Sequence, residues 1–184
     1  MAVSPPVCDF GAKMPDFALP DPNGRMHRLN DLRGSNGTLV MFICNHCPYV
    51  QSIMDRIVRD TSELQHIHGI GVVAISANDI VTYPQDAPEF MQAESARHGF
   101  EFPYLYDETQ NIAQAYGAEC TPDFFGYNAS DELQYRGRLD ASGRQPSTTD
   151  ARRELFEAMV QIARTGHGPH EQTPSMGCSI KWKG

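Results

Sequence analysis

The sequence predicts an α/β fold, with a central mixed sheet that has a parallel core and an antiparallel edge hairpin, and with helices on both faces. Two observations lead to this prediction. Two apolar runs, residues 38–44 and 71–76, are separated by a long stretch with helical periodicity, and a strand, helix, strand order with a long crossover implies a parallel pair. Further along the chain, two short apolar runs flank a polar turn at residues 128–132, which is typical of an antiparallel hairpin.

The first predicted elements are a small hairpin and a buried strand. Residues 21–24 read DPNG, and all four are residues that favour turns. They predict a hairpin between the short strand-like runs 17–19 and 26–29. Residues 38–44 read TLVMFIC, a continuous run of β-branched and other apolar side chains. Such a run predicts a central strand that is buried on both faces.

A long amphipathic helix is predicted after this strand. Apolar side chains recur from Val50 to Ile67 at close to the 3.6-residue period of a helix, and Gly69 stands where the helix is expected to end. Residues 71–76, GVVAIS, predict the second buried strand. Residues 124–127 and 133–138 predict the two strands of the edge hairpin.

Three further helices are predicted from their start and stop signals. They run from about Asp86 to Gly99, from Asp107 to Gly117, and from about Thr149 to Gly166. The two ends of the chain show no clear helical or strand period. We therefore expect an N-terminal arm at residues 1–13, one domain at residues 14–166 and a C-terminal tail at residues 167–184.

Composition limits the classes of function. The chain has 184 residues and 20.5 kDa, enough for one domain with a full core. Its 15 Lys and Arg against 23 Asp and Glu give a net charge of −8, which argues against nucleic acid or an anionic membrane as a partner. The longest apolar run, residues 39–44, is too short to span a membrane, so we expect a cytosolic protein. Five cysteines, an odd number, direct attention to thiol chemistry.

The junction between the first buried strand and the long helix contains the candidate nucleophile. Pro48 favours the first helical position and keeps the residue before it out of the helical region, so Cys47 is predicted at the N-cap of the helix. A thiolate there is stabilised by the helix dipole and by the unpaired N–H groups of the first turn. We therefore predict that Cys47 is a nucleophile with a lowered pKa.

Residues 44–50, CNHCPYV, and residues 120–125, CTPDFF, are two separated motifs of the chain. Together they resemble the thioredoxin superfamily, and within it the peroxiredoxin-like redoxins related to alkyl hydroperoxide reductase and thiol-specific antioxidant. The second motif resembles the Thr–cis-Pro–x–Phe segment that packs against the active-site cysteine, which implies that Thr121 and a cis Pro122 lie beside Cys47. The resemblance covers about residues 14–165 and implies a thioredoxin-like fold and thiol redox chemistry.

The two cysteines of the first motif do not match the usual dithiol register. The resemblance places the attacking thiol at Cys47 and the second thiol of a thioredoxin at the position of Val50. The peroxiredoxin pattern places a Thr where this chain has Cys44 and a Pro where it has Val40. These departures count against efficient peroxidase activity.

The other cysteines compete for the role of second thiol. Cys44 lies three residues before Cys47 and is our first choice as the resolving thiol. Cys120 and the tail thiol Cys178 are alternatives, while Cys8 in the arm is expected to be inert. His46, when protonated, would lower the pKa of Cys47 further, and a solvent-facing loop histidine is the alternative.

Tyr49 and Asp123 either contact substrate or serve only packing and capping. Zinc bound by Cys44 and Cys47, with Cys120 or with His66 and His68, is a weaker alternative because the chain has no second closely spaced Cys pair. We expect no metal and no cofactor.

The sequence thus predicts a cytosolic thiol oxidoreductase with an antioxidant role. Cys47 attacks a disulfide to give a mixed disulfide, or a peroxide to give a sulfenic acid, and a second thiol then forms a disulfide with it. A thioredoxin-like or other dithiol reductant completes the cycle, and a homodimer is left open. The alternative from another class is a non-enzymatic redox sensor or partner-binding module with the same fold.

Overall fold

The computed structural model describes residues 1–184 as ten short strands and six helices. The strands are β1 (Ala2–Val3), β2 (Ala18–Pro20), β3 (Met26–Arg28), β4 (Gly37–Phe42), β5 (Ile70–Ser76), β6 (Tyr104–Tyr106), β7 (Cys120–Thr121), β8 (Asp123–Tyr127), β9 (Leu133–Tyr135) and β10 (Gly177–Ser179). The helices are α1 (Leu29–Leu32), α2 (Pro48–Gln51), α3 (Met54–His68), α4 (Pro88–His98), α5 (Asn111–Tyr116) and α6 (Glu154–Thr165), with a 3-10 turn at Pro84–Asp86.

The main sheet has five strands in the order β6-β5-β4-β8-β9. β4 pairs with β5 in parallel, and β5 pairs with β6 in parallel. β8 is antiparallel to both β4 and β9. The predicted mixed sheet with a parallel core and an antiparallel edge hairpin is therefore confirmed, with β4 as its central, fully buried strand.

Alternation along β4 divides the core into two clusters, because successive side chains of a strand point to opposite faces. Leu39 and Met41 belong to one cluster, which also receives the apolar faces of α3 and α6. Val40 and Phe42 belong to the other, which receives α5. The helices therefore cover both faces of the sheet, as predicted. No helix combines the length and the apolar character needed to cross a membrane.

Three helix predictions needed correction. The helix expected from Asp107 begins only at Asn111. The helix expected from Val50 to Ile67 is interrupted at residues 52–53, where Ile53 N–H donates to the Val50 carbonyl and closes a tighter turn before α3 begins. The last helix begins at Glu154 and not near Thr149, because residues 148–151 close a turn of their own. The predicted ends of these helices at Gly69 and Gly166 are confirmed, and both glycines are left-handed.

Four short strands, β1, β6, β7 and β10, were absent from the sequence prediction. β6 adds an edge to the main sheet beside β5. β10 lies between β1 and β7 in a second, antiparallel sheet, so the tail at residues 167–184 contains a strand where none was predicted. Strands of two or three residues are too short to show a period in the sequence. In this three-stranded sheet β10 pairs with β7 on one side and with β1, near the start of the chain, on the other.

Candidate active site

Cys47 is the N-cap residue of α2, as its neighbour Pro48 predicted. Its backbone is extended, with φ −72° and ψ 120°, and Pro48 occupies the first helical turn. The Cys47 carbonyl accepts hydrogen bonds from the N–H groups of Val50 and Gln51 at 3.0 and 2.9 Å. The side chain of Cys47 is 0% exposed. The sulfur is therefore held in the protein interior at the start of the helix.

Hydrogen-bond donors from three segments of the chain lie near the sulfur of Cys47. The pKa of Cys47 lies far below that of an ordinary cysteine, and the hydrogen bond from the Cys44 thiol is the largest cause. The Cys178 thiol, the Thr121 side chain and the Cys178 backbone N–H lower this pKa further, while burial opposes them. In its neutral form the Cys47 thiol donates to the Thr121 carbonyl at 3.1 Å. The predicted lowering of the Cys47 pKa agrees with these contacts, whose donors lie outside α2. The Cys47 side chain makes no capping bond to the first turn of α2.

Cys44 lies beyond the end of β4, with its sulfur 3.3 Å from the hydroxyl of Thr121. It is 1% exposed. Its hydrogen bond to Cys47, its burial and the nearby charge of Asp86 raise the pKa of the Cys44 thiol well above the ordinary range. Cys44 thus stays a neutral donor beside the Cys47 sulfur.

The segment 120–122 forms the opposite wall of the site. The Thr121–Pro122 peptide bond is cis, as the resemblance implied. Thr121 contacts both buried thiols, through its hydroxyl and its carbonyl. The Cys120 thiol instead faces the Pro122 carbonyl at 3.5 Å, and burial raises its pKa strongly. Cys120 therefore lines the wall, while Thr121 makes the contacts with Cys47.

The tail brings Cys178 to the site. In the pairing of β10 with β7, Cys178 lies opposite Thr121. Cys178 is half-buried, and its pKa is raised to about 11, mainly by burial and then by its hydrogen bond to Cys47. Cys8 does not share this position. It is half-buried in the arm, where burial raises its pKa to about 11 and its hydrogen bonds are to Arg136 and Gln172.

Asp86 is a site residue that the sequence did not reveal. It follows β5 by ten residues and is 0% exposed. Its Oδ2 lies 2.5 Å from Nδ1 of His46, and its Oδ1 accepts the backbone N–H groups of Asn45 and His46. The His46 ring also stacks on Tyr83, with the two ring centroids 5.3 Å apart. His46 is therefore fixed in place and is not a free loop histidine.

Comparison with known proteins places this chain in a family. The family model described as "AhpC/TSA family" matches residues 10–142 of the chain. The chain belongs to the AhpC/TSA family. This AhpC/TSA chain is 40% identical to an uncharacterized conserved protein from Geobacillus kaustophilus, whose crystal structure it matches with a TM-score of 0.90 over 100% of this chain and 97% of the other.

Two further matches of the AhpC/TSA chain are more distant. It is 27% identical over 116 residues to the thiol-disulfide oxidoreductase ResA of Geobacillus thermodenitrificans, a match that covers 62% of this chain and 61% of that protein. A thioredoxin domain of a thiol-disulfide oxidoreductase from Bacteroides vulgatus matches with a TM-score of 0.57 at 15% identity, over 69% of this chain and 86% of the other. The fold is therefore thioredoxin-like.

Three side chains of the AhpC/TSA site, Cys44, His46 and Asp86, place donor atoms within 4.8 Å of one another. Both oxygens of Asp86 are already used, because Oδ2 also accepts the amide of Asn78 at 2.8 Å. This arrangement fits a hydrogen-bonded anchor for His46 better than a metal centre. His66 pairs with Glu101 on the exposed far end of α3. The absence of a metal stays a prediction.

Asp123 and Tyr49, which were left between substrate contact and packing, differ in their surroundings. Asp123 forms a buried ion pair with Arg136 at 3.0 Å, and burial raises its pKa. Asp123 therefore has a structural role at the start of β8. Tyr49 lines a cavity of about 440 Å³ beside α2, and the guanidinium of Arg144 lies 5.3 Å from its ring centroid.

The cavity beside Tyr49 adjoins the active-site wall of this AhpC/TSA protein. Its lining includes Ile53, the cis residue Pro122, and Phe124. Ser175 of the tail closes one side and donates its hydroxyl to the Pro122 carbonyl at 2.8 Å. The cavity is largely apolar and shares Pro122 with the wall beside Cys47, and small ligands bind in concave apolar cavities of this kind.

Proposed function

We propose that this chain is a thiol-disulfide oxidoreductase in which the Cys47 thiolate is the reacting group. The observation that carries the proposal is the position of the Cys47 sulfur, which is buried at the start of α2 and lies 3.1 Å from the Thr121 carbonyl, with Cys44 and Cys178 also beside Thr121. The neighbouring thiols and the Thr121 side chain lower the pKa of Cys47. A thiolate is the nucleophile in disulfide exchange, and donors that stabilise it keep it ionised at neutral pH. They also make Cys47 a good leaving group when its disulfide is reduced.

The first step of the proposed reaction is attack by the Cys47 thiolate on one sulfur of a substrate disulfide. The S–S bond of the substrate breaks, one substrate thiolate leaves, and a mixed disulfide remains on Cys47. A second thiol of the protein then attacks the mixed disulfide and releases the other substrate thiol. An external dithiol, which becomes oxidised, returns the protein to its reduced form.

Reduction of a small hydroperoxide is the second candidate, and the complete burial of Cys47 favours it over a bulky substrate. The thiolate would attack one peroxide oxygen, so that the O–O bond breaks, an alcohol or water leaves and a sulfenic acid forms on Cys47. A second thiol would condense with the sulfenic acid and release water. An antioxidant role would follow from peroxide reduction. The cytosolic location of the protein stays a prediction.

Catalytic turnover tests the proposal. The protein is given a small disulfide, oxidised glutathione, together with thioredoxin, thioredoxin reductase and NADPH, and NADPH oxidation is followed. We expect many turnovers per protein and loss of the activity in C47S, with C8S as the matched control that retains it. Oxidation that stops after one equivalent would instead identify a redox sensor. Replacing the disulfide by hydrogen peroxide distinguishes the two candidate substrates.

A further inference from the structure

The C-terminal strand β10 covers the reactive thiol. It pairs with β7 so that Cys178 lies opposite Thr121, the residue that contacts the Cys47 sulfur. β10 also lies against α2, whose N-cap is Cys47. The thiol and the backbone N–H of Cys178 both contribute to the lowered pKa of Cys47.

The tail is fastened on both sides of β10. Before the strand, Ser175 donates its hydroxyl to the Pro122 carbonyl and its own carbonyl accepts the hydroxyl of Ser4. After the strand, Ile180 N–H donates to the Glu119 carbonyl, and Lys181 N–H donates to the side chain of Asn78. These bonds hold Cys178 in a defined position over the site.

We propose that Cys178, and not Cys44, forms the disulfide with Cys47, and that the external reductant attacks the sulfur of Cys178. This inference rests on the proposed function and names the second thiol and the point of entry of the reductant. Cys44 then acts as a hydrogen-bond donor that stabilises the Cys47 thiolate, which is the role its contacts support.

Exposure is the first argument for Cys178. Cys44 and Cys47 are 1% and 0% exposed, so a disulfide between them would present no sulfur to an external thiol. Cys178 is only half-buried. A disulfide between Cys47 and Cys178 therefore keeps one sulfur within reach of solvent, and thiol–disulfide exchange depends on access to the attacked sulfur.

The chemistry of the leaving group is the second argument. An external thiolate that attacks Cys178 expels Cys47, whose thiolate is stabilised by the donors around it and is the better leaving group. This argument sets the direction of attack, so that the reductant enters at Cys178 and not at Cys47. The choice of Cys178 over Cys44 rests on the greater exposure of Cys178.

The complete cycle balances with a disulfide substrate and a dithiol reductant. β10 moves away from β7 to admit the substrate, because it covers Cys47 when paired. Cys47 attacks the substrate disulfide and one substrate thiol leaves. When β10 returns, the Cys178 thiolate attacks the sulfur of Cys47 and the second substrate thiol leaves. The dithiol then attacks Cys178, Cys47 leaves as a thiolate, and the second thiol of the reductant frees Cys178.

Peptide mapping can locate the disulfide. The reduced protein is treated with one equivalent of 2,2′-dithiodipyridine, quenched with acid and digested with trypsin. Cys44 and Cys47 share the peptide 34–56, whereas Cys178 lies in the peptide 165–181. We expect the two peptides to be cross-linked through Cys47. A bond between Cys44 and Cys47 would instead appear as the loss of two hydrogens within the peptide 34–56.

Two matched variants complete the experiment. C44S should retain the cross-link, and C178S should lose it and accumulate the pyridyl mixed disulfide on Cys47. The inference is overturned if the wild type forms a 44–47 bond, a bond to Cys120 or a persistent mixed disulfide, or if C178S behaves like the wild type. Failure of the proposed function looks different, because Cys47 would then remain unmodified in every variant.

Discussion

Replacing Cys44 by Ala tests whether a neighbouring thiol, and not the helix, keeps Cys47 ionised. The Cys44 thiol is the largest cause of the lowered Cys47 pKa, so its loss should raise that pKa. A hydrogen bond to a charged group contributes about 1.5–3 kcal/mol, and the weak S–H donor belongs at the low end. At 1.36 kcal/mol for each pKa unit, the expected rise is about one unit.

The assay is the rate of Cys47 alkylation by iodoacetamide between pH 3 and 9, followed by peptide mass spectrometry. Reactivity is present above the Cys47 pKa and is lost as the pH falls through it, so the midpoint of the C44A profile should move to higher pH. C44S is the matched control, because its hydroxyl keeps a donor in place and should give a smaller shift. An unchanged midpoint in C44A would refute the assignment of Cys44 as the stabilising donor.

Two further predictions concern the surroundings of Cys47. D86N removes a buried carboxylate that holds His46, so it should lower the free energy of unfolding by about 2 kcal/mol in urea denaturation. The control D150N changes an exposed residue and should leave the stability unchanged. Equal stabilities of D86N and the wild type would contradict the anchoring role. G177A places a Cβ 2.0 Å from the Thr121 carbonyl and should push β10 off β7. Cys47 should then be alkylated faster than in the wild type or in the control G184A, and an unchanged rate would show that β10 is not the cover.

Much of the fold was predictable because its elements carry local signals. The apolar runs of β4 and β5 predicted the parallel core of the sheet. Gly69 and Gly99 predicted where α3 and α4 end. Pro48 alone placed Cys47 at the start of a helix. These signals lie within a few residues of the feature they predict, so one sequence is sufficient to interpret them.

The contacts around the thiols were not predictable in the same way. Asp86 lies 40 residues from His46 along the chain, and a position before a helix suggested only a cap. Cys178 reaches Cys47 through a three-residue strand whose partners are β1 and β7. Such contacts depend on tertiary packing, which periodicity does not encode.

The pairing of β1 with β10 places Ala2 opposite Cys178. The beginning of the chain is thus a structural neighbour of the redox centre, although more than forty residues separate it from Cys47 in the sequence. When β10 lifts, β1 loses its strand partner. A fluorophore attached at residue 1 would therefore report the opening of the site optically, without any label on the reacting cysteines.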